Sequence, residues 1–224
     1  GKVLDLARVE AAFTAAYLDY MAEWARRIEG EIIQSDRPGE NIFLFRQPVG
    51  VVAGILPWNF PFFLIARKLG PALITGNTIV VKPSEETPNN AALFARLVTE
   101  TELPKGVFNL VYGRGGTVGR ALTRHIDVRM VSFTGSVETG SKIMADAATN
   151  ITKLNLELGG KAPAIVIRDA DLDQAAKLIK ASRTLNTGQV CNAPERIYVE
   201  RKVADEFVHK LTAEMKATRY GDPL

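Results

Sequence analysis

The chain has 224 residues, of which 46% are hydrophobic and 24% charged, with a net charge of +3. That length holds one large or two small domains, and the balance excludes disordered and collagen-like chains. Acidic and basic residues are interspersed and no uninterrupted apolar run reaches about eighteen residues, so nothing here calls for a nucleic-acid or membrane partner. The one cysteine, Cys191, cannot form an intrachain disulfide and suits a reducing, cytoplasmic setting.

Leu4 to Arg27 reads as one amphipathic helix, because Phe13, Tyr17, Tyr20, Met21 and Trp24 recur at spacings of three and four. Ile32-Ile33 and Ile42-Phe43-Leu44-Phe45 flank Pro38-Gly39, the pattern of a hairpin. From Gly50 onward strands and helices alternate. Strands are expected at Val49–Ile55, Thr78–Val81, Val107–Val111, Val128–Phe133, Leu154–Leu156, Ala162–Ile167 and Arg196–Val199. Helices are expected at Pro61–Gly76, Pro88–Glu100, Gly116–Arg124, Ser136–Ala148, Leu172–Leu185 and Val203–Met215. This order predicts an α/β fold, a Rossmann-like parallel sheet with flanking helices. The chain opens on Gly1 rather than Met and closes on the turn signal Gly221-Asp222-Pro223-Leu224, so an internal piece of a longer protein is expected.

Several short signals need weighing. Asp169, Asp171 and Asp173 imitate the opening of a calcium loop, but Gln174 and Lys180 stand where that loop needs Gly and Glu, so the three read as a helix N-terminus and no metal site is expected. Gly113-Arg114-Gly115-Gly116-Thr117-Val118-Gly119 nearly matches a dinucleotide fingerprint, with its last glycine one residue late, and reads equally as a turn built for close packing. His125 and His209 sit in surface or capping contexts and give Cys191 no partner for hydrolase chemistry. A lone cysteine is usually a small buried apolar group, but Thr187-Gly188-Gln189-Val190-Cys191-Asn192 is a polar loop and a poor place to bury one.

Five motifs occur in order: Pro57-Trp58-Asn59-Phe60-Pro61, Lys82-Pro83-Ser84-Glu85, Phe133-Thr134-Gly135-Ser136, Glu157-Leu158-Gly159-Gly160-Lys161 and Gly188-Gln189-Val190-Cys191. Together they resemble the NAD(P)-dependent aldehyde dehydrogenase superfamily over essentially the whole chain. Glu29-Gly30-Glu31-Ile32-Ile33-Gln34-Ser35-Asp36 and Asn150-Ile151-Thr152-Lys153 resemble its bacterial lactaldehyde/glycolaldehyde branch. The resemblance implies residues 1–25 and 50–160 as an NAD-binding domain, 26–49 as an oligomerisation hairpin arm, and 161–224 as the beginning of a second α/β catalytic domain. It also implies a full chain about twice as long, with a Glu-x-Phe-Gly-Pro segment that does not occur here.

The chemistry follows the same likeness. An aldehyde has no oxyanion to expel hydride until a nucleophile adds to it, and Cys191 resembles that nucleophile. Asn59 resembles the oxyanion donor, and Glu157 the general base that activates water against the thioester. Lys68 is implied as a source of positive potential, with a solvated helix lysine as the alternative. Asn59 reads otherwise as a turn residue, and Glu157 as a carboxylate at a strand end. The cofactor positions implied are Ile55, Leu56, Pro57, Trp58, Asn59, Lys82, Ser84, Glu85, Gly115, Gly119, Phe133, Gly135, Ser136, Thr139, Glu157, Leu158 and Gly159. A carboxylate at Glu85 would bind ribose hydroxyls and repel a 2′-phosphate, which favours NAD over NADP. The expected substrate is a small aldehyde such as lactaldehyde or glycolaldehyde, and the full-length protein is expected to be a homo-dimer or homo-tetramer. The alternatives are a relative acting on a semialdehyde or betaine aldehyde, and an inactive nucleotide-binding module.

Overall fold

The computed structural model describes residues 2–223. In chain order the elements are α1 (Leu4–Ala22), β1 (Glu31–Gln34), β2 (Asn41–Leu44), β3 (Val51–Ile55), α2 (Phe63–Ile74), β4 (Thr78–Lys82), α3 (Pro88–Thr99), β5 (Phe108–Leu110), α4 (Arg120–Arg124), β6 (Val128–Thr134), α5 (Val137–Ala147), β7 (Lys153–Glu157), β8 (Ala162–Val166), α6 (Leu172–Thr184), β9 (Pro194–Val199) and α7 (Ala204–Lys216). They fall into two compact units, residues 9–157 and residues 158–223 together with 2–8.

In the larger unit five parallel strands run in the order β5-β4-β3-β6-β7. β3 is central, and four of its five residues are buried, as a strand covered on both faces requires. Val52, Leu56, Ile65, Leu69, Ile79, Val81 and Phe94 form the core between the sheet and helices α2 and α3. The chain leaves β3 toward β4 on one side and later returns to β6 on the other. That reversal opens a crevice at the carboxyl ends of the strands, where doubly wound sheets bind ligands.

The hairpin β1–β2 is antiparallel, and all eight of its residues are exposed. Ile32 faces Phe43 and Ile33 faces Ile42 in register, so both faces of the ribbon are apolar. In the smaller unit β8 and β9 pair in parallel, and Val166, Leu172, Ala176 and Phe207 make its core with α6 and α7.

Several element ends lie one or two residues from expectation, and two expected helices change character at one end. The first helix tightens into a 3-10 turn at Glu23–Arg26 before Arg27. The segment expected as a helix from Gly116 begins as a π turn, Gly115–Gly119, and only Arg120–Arg124 is α-helical. Three glycines in that stretch weaken its helix preference. Asp171 caps α6 by accepting from Gln174 N at 3.0 Å, the helix-terminus role read from the sequence, and Asp173 in the first turn pairs with Lys210 at 2.7 Å. No helix among the described residues is long and apolar enough to cross a membrane.

Candidate active site

Strand register sets the first layer of the site. Ile55 at the end of β3 is level with Lys82 of β4 and Phe133 of β6, and Thr134 is level with Glu157 of β7. Leu56 N donates to Lys82 O at 3.0 Å and Gly135 N to Glu157 O at 3.0 Å, so the pairing continues past the strand ends. Residues from three of the sequence motifs, and the two residues that lead into a fourth, therefore stand at the carboxyl ends of these strands.

After β3 the chain turns through Pro57, an exposed Trp58 and a half-buried Asn59. Asn59 Oδ1 accepts from Phe60 N at 3.2 Å. Lys68 projects from the next helix and is buried, with its Nζ donating to Thr134 Oγ1 at 2.9 Å and Ser132 Oγ at 3.1 Å. The solvated-lysine alternative is therefore wrong: its position on α2 turns it against β6. Burial pushes its pKa down to about 8, the charge of Glu157 opposes that shift, and Arg67 reinforces it. Glu157 is half-exposed at the end of β7, with Arg67 Nη2 3.9 Å from its Oε1. Tyr17, Arg67, Lys68, Ser132, Asn155 and Glu157 are among the residues lining a cavity of about 420 Å³.

A second cluster joins two motifs that are thirty residues apart. Lys82 is almost fully buried, and its Nζ donates to Pro83 O at 2.6 Å and to Glu85 Oε2 at 3.4 Å. Glu85 Oε1 accepts from Gly115 N at 2.7 Å. Burial raises the Glu85 pKa, but its own backbone N–H, the Gly115 N–H and Lys82 outweigh that and hold the carboxyl below its ordinary value. Ser84 is buried beside this pair, its Oγ accepting from Glu86 N at 3.2 Å, and Gly119 closes the π turn near the Lys82 stem. Nothing lies within 4 Å of where a Cβ would stand on Gly115 or Gly116, so the turn offers an open cradle beside a carboxylate and a buried ammonium. A carboxylate that accepts, beside an ammonium that donates, fits the hydroxyl groups of a ribose.

At the end of β6, Ser136 caps α5, accepting from Thr139 N at 3.2 Å. The missing side chain at Gly135 makes room for a neighbour: a Cβ there would clash with the Phe133 ring.

Leu158, Gly159 and Cys191 belong to the smaller unit. Cys191 is exposed, just before β9. A Cβ on Gly160 would stand 3.3 Å from Cys191 O, so a larger residue would press on the cysteine backbone. The preceding turn is strained, with Asn186 at φ 49° and the β-branched Thr187 at φ 56°, followed by Gly188 at φ 79°. Gln189 Nε2 donates to Thr187 Oγ1 inside it. His125 Nδ1 accepts from Asp127 N at 3.2 Å, a local turn contact, and His209 is exposed on α7.

The sequence pattern of the aldehyde dehydrogenase family matches residues 1–224. The chain belongs to the aldehyde dehydrogenase family. It is 66% identical over 223 residues to a lactaldehyde dehydrogenase of Escherichia coli (strain K12), which covers 100% of this chain and 47% of that protein. The crystal structure of the Escherichia coli lactaldehyde dehydrogenase superposes with a TM-score of 0.97 over 100% of this chain and 47% of that one. A 3,6-anhydro-L-galactose dehydrogenase solved in complex with NADP superposes with a TM-score of 0.94 at 45% identity, covering 100% of this chain and 47% of its own. An NAD-dependent aldehyde dehydrogenase from Sinorhizobium meliloti does so with a TM-score of 0.96 at 40% identity, covering 100% and 45%. The chain thus spans about half the length of the relatives it matches.

Sequence reasoning missed Arg67, Ser132, Thr134 and Glu10. Thr134 stood inside a quoted motif. Glu10 lies four residues before Thr14 and seven before Tyr17, which puts a carboxylate on the inward stripe of α1, and it is buried.

Proposed function

We propose that the full-length protein containing this chain is an NAD-dependent dehydrogenase that oxidises a small hydroxyaldehyde, of the lactaldehyde or glycolaldehyde kind, to the free acid. The observation that carries this reading is the 66% identity to a lactaldehyde dehydrogenase across the whole chain, with every quoted motif inside it. Residues 1–25 and 50–160 form its cofactor domain, 26–49 an oligomerisation arm and 161–224 the beginning of its catalytic domain.

Cys191, as thiolate, adds to the aldehyde carbon and forms the C–S bond. The oxyanion so formed is held by the Asn59 side-chain amide and the Cys191 N–H, and loss of one such donor typically raises the barrier by about 3–4 kcal/mol. NAD, when bound, accepts the hydride that leaves that carbon. Glu157 then takes a proton from water, whose oxygen attacks the thioester carbon and releases the acid and the Cys191 thiolate. Lys68, buried beside Thr134, supplies positive potential at the strand ends.

Lys82, Glu85 and the Gly115–Gly119 turn hold the adenosine ribose, and the N-terminus of α5 at Ser136 and Thr139 faces the pyrophosphate. Ile55, Leu56, Pro57, Trp58, Phe133, Gly135, Leu158 and Gly159 complete the cofactor surface. Glu85, fixed by Gly115 and Lys82, rejects a 2′-phosphate by charge. The lone cysteine suits a reducing, cytoplasmic setting.

The test is steady-state turnover of the full-length enzyme on lactaldehyde, glycolaldehyde and succinate semialdehyde, each with NAD and with NADP. The expected result is a kcat/KM for the hydroxyaldehydes with NAD at least about ten-fold above every other combination, a gap of about 1.4 kcal/mol. Equal efficiency with NADP sinks the cofactor assignment, and a preference for the semialdehyde sinks the substrate assignment.

A further inference from the structure

Helix α2 follows directly on the turn that holds Asn59, and the first N–H groups of any helix lack intrahelical acceptors. Each can be accounted for. Leu64 N donates to Phe60 O at 3.0 Å, so helical bonding begins there. Pro61 has no N–H, and Phe60 N donates to Asn59 Oδ1 at 3.2 Å. Phe62 N and Phe63 N both donate to Glu10 Oε1, at 2.8 and 3.1 Å. Glu10 is 7% exposed and comes from α1, 52 positions earlier in the chain.

This allocation is not the one local chemistry favours. Asparagine is among the strongest N-cap residues, and Asn59 stands three residues before Phe62, the spacing at which an N-cap side chain takes a helix N–H. A carboxylate from another helix does that work instead, and it also suits the positive end of the helix dipole. Were Phe62 N–H left without an acceptor, Asn59 has the residue type and the spacing to supply one. Turning toward it would give up the present Phe60 N–H to Asn59 Oδ1 contact and rotate the whole amide.

We infer that Glu10 is a positioning residue for the reaction: by satisfying the Phe62 and Phe63 N–H groups it keeps Asn59 from capping α2 and so preserves the turn conformation in which Asn59 serves its proposed role. The inference rests on the proposed role of Asn59. Glu10 touches no reacting atom and acts only through the turn.

A double-mutant cycle on the full-length enzyme tests it, read as the single-turnover rate of NADH formation at saturating NAD. Asn59→Ala is expected to slow that step roughly 100-fold or more, as loss of an oxyanion donor does. Glu10→Ala should slow it roughly ten-fold, a partial loss of the same effect, with the KM for NAD within about two-fold of wild type. Glu10→Gln keeps an acceptor oxygen and should stay within about three-fold. In the Asn59→Ala background Glu10→Ala should add less than about two-fold, because the group it positions is gone. Should Glu10→Ala fail to fold, Glu10→Met fills the same space without an acceptor and takes its place in the cycle. Full multiplication of the two effects overturns the inference, as does a Glu10→Ala or Glu10→Met enzyme with a wild-type rate. A wild-type rate in Asn59→Ala alone overturns the oxyanion role instead, and the inference with it.

Discussion

At the scale of single residues, Lys68 shows how burial and chemistry meet. Its ammonium is enclosed by α2 and β6, and its pKa of about 8 lies below the ordinary 10.5. Between those values the unfolded chain keeps a proton that the folded chain has lost, so stability rises with pH across that window. Below pH 8 both states are protonated, and the folded state carries the full cost of a buried charge. Lys68→Met removes this dependence. The stability of the variant relative to wild type should be most favourable below pH 8 and fall by up to about 3 kcal/mol toward pH 10.5. Urea unfolding at several pH values measures it, and a flat difference across the window would contradict a destabilised buried ammonium. Lys68 was half-legible in the sequence: a lysine on an amphipathic helix has two places to go, and only the packing of α2 against Ser132 and Thr134 decides between them. Glu85 was more legible, since its motif pointed to a ribose, but its bond to Gly115 N thirty residues on was not.

At the scale of elements, periodicity located the strands and helices because most faces bury one side. The calcium-like aspartates and the π turn show the limits. The aspartates resolved correctly because a cap is a local device, whereas the π turn arises where glycines weaken a helix and packing completes it. The cap on α2 was illegible because its acceptor comes from α1. The β1–β2 ribbon is the element most in need of a partner, since Ile32 and Phe43, paired on one face, are 74% and 56% exposed. Large apolar patches of this kind mark association surfaces. As the proposed oligomerisation arm, it predicts that Ile32→Asp with Phe43→Asp in the full-length enzyme yields smaller assemblies in sedimentation, with little change in the circular dichroism of the subunit. Unchanged assembly would assign the arm another role.

At the scale of the whole molecule, the chain spans about half of its aldehyde dehydrogenase relatives. Its larger unit holds Asn59, Lys68, Lys82, Glu85 and Glu157, while Cys191 lies in the smaller unit. The family was legible from five motifs in order, each at a turn or a strand end. What the motifs do not contain is the surface that chooses an aldehyde.

In the proposed mechanism Cys191 carries the acyl group and Glu157 brings water to it. Mass spectrometry of full-length Glu157→Gln, quenched after one turnover with aldehyde and NAD, tests that claim most directly. The account predicts one NADH per active site followed by slow turnover, and an acyl adduct on the peptide containing Cys191. Turnover at the wild-type rate with no adduct on that peptide would contradict it.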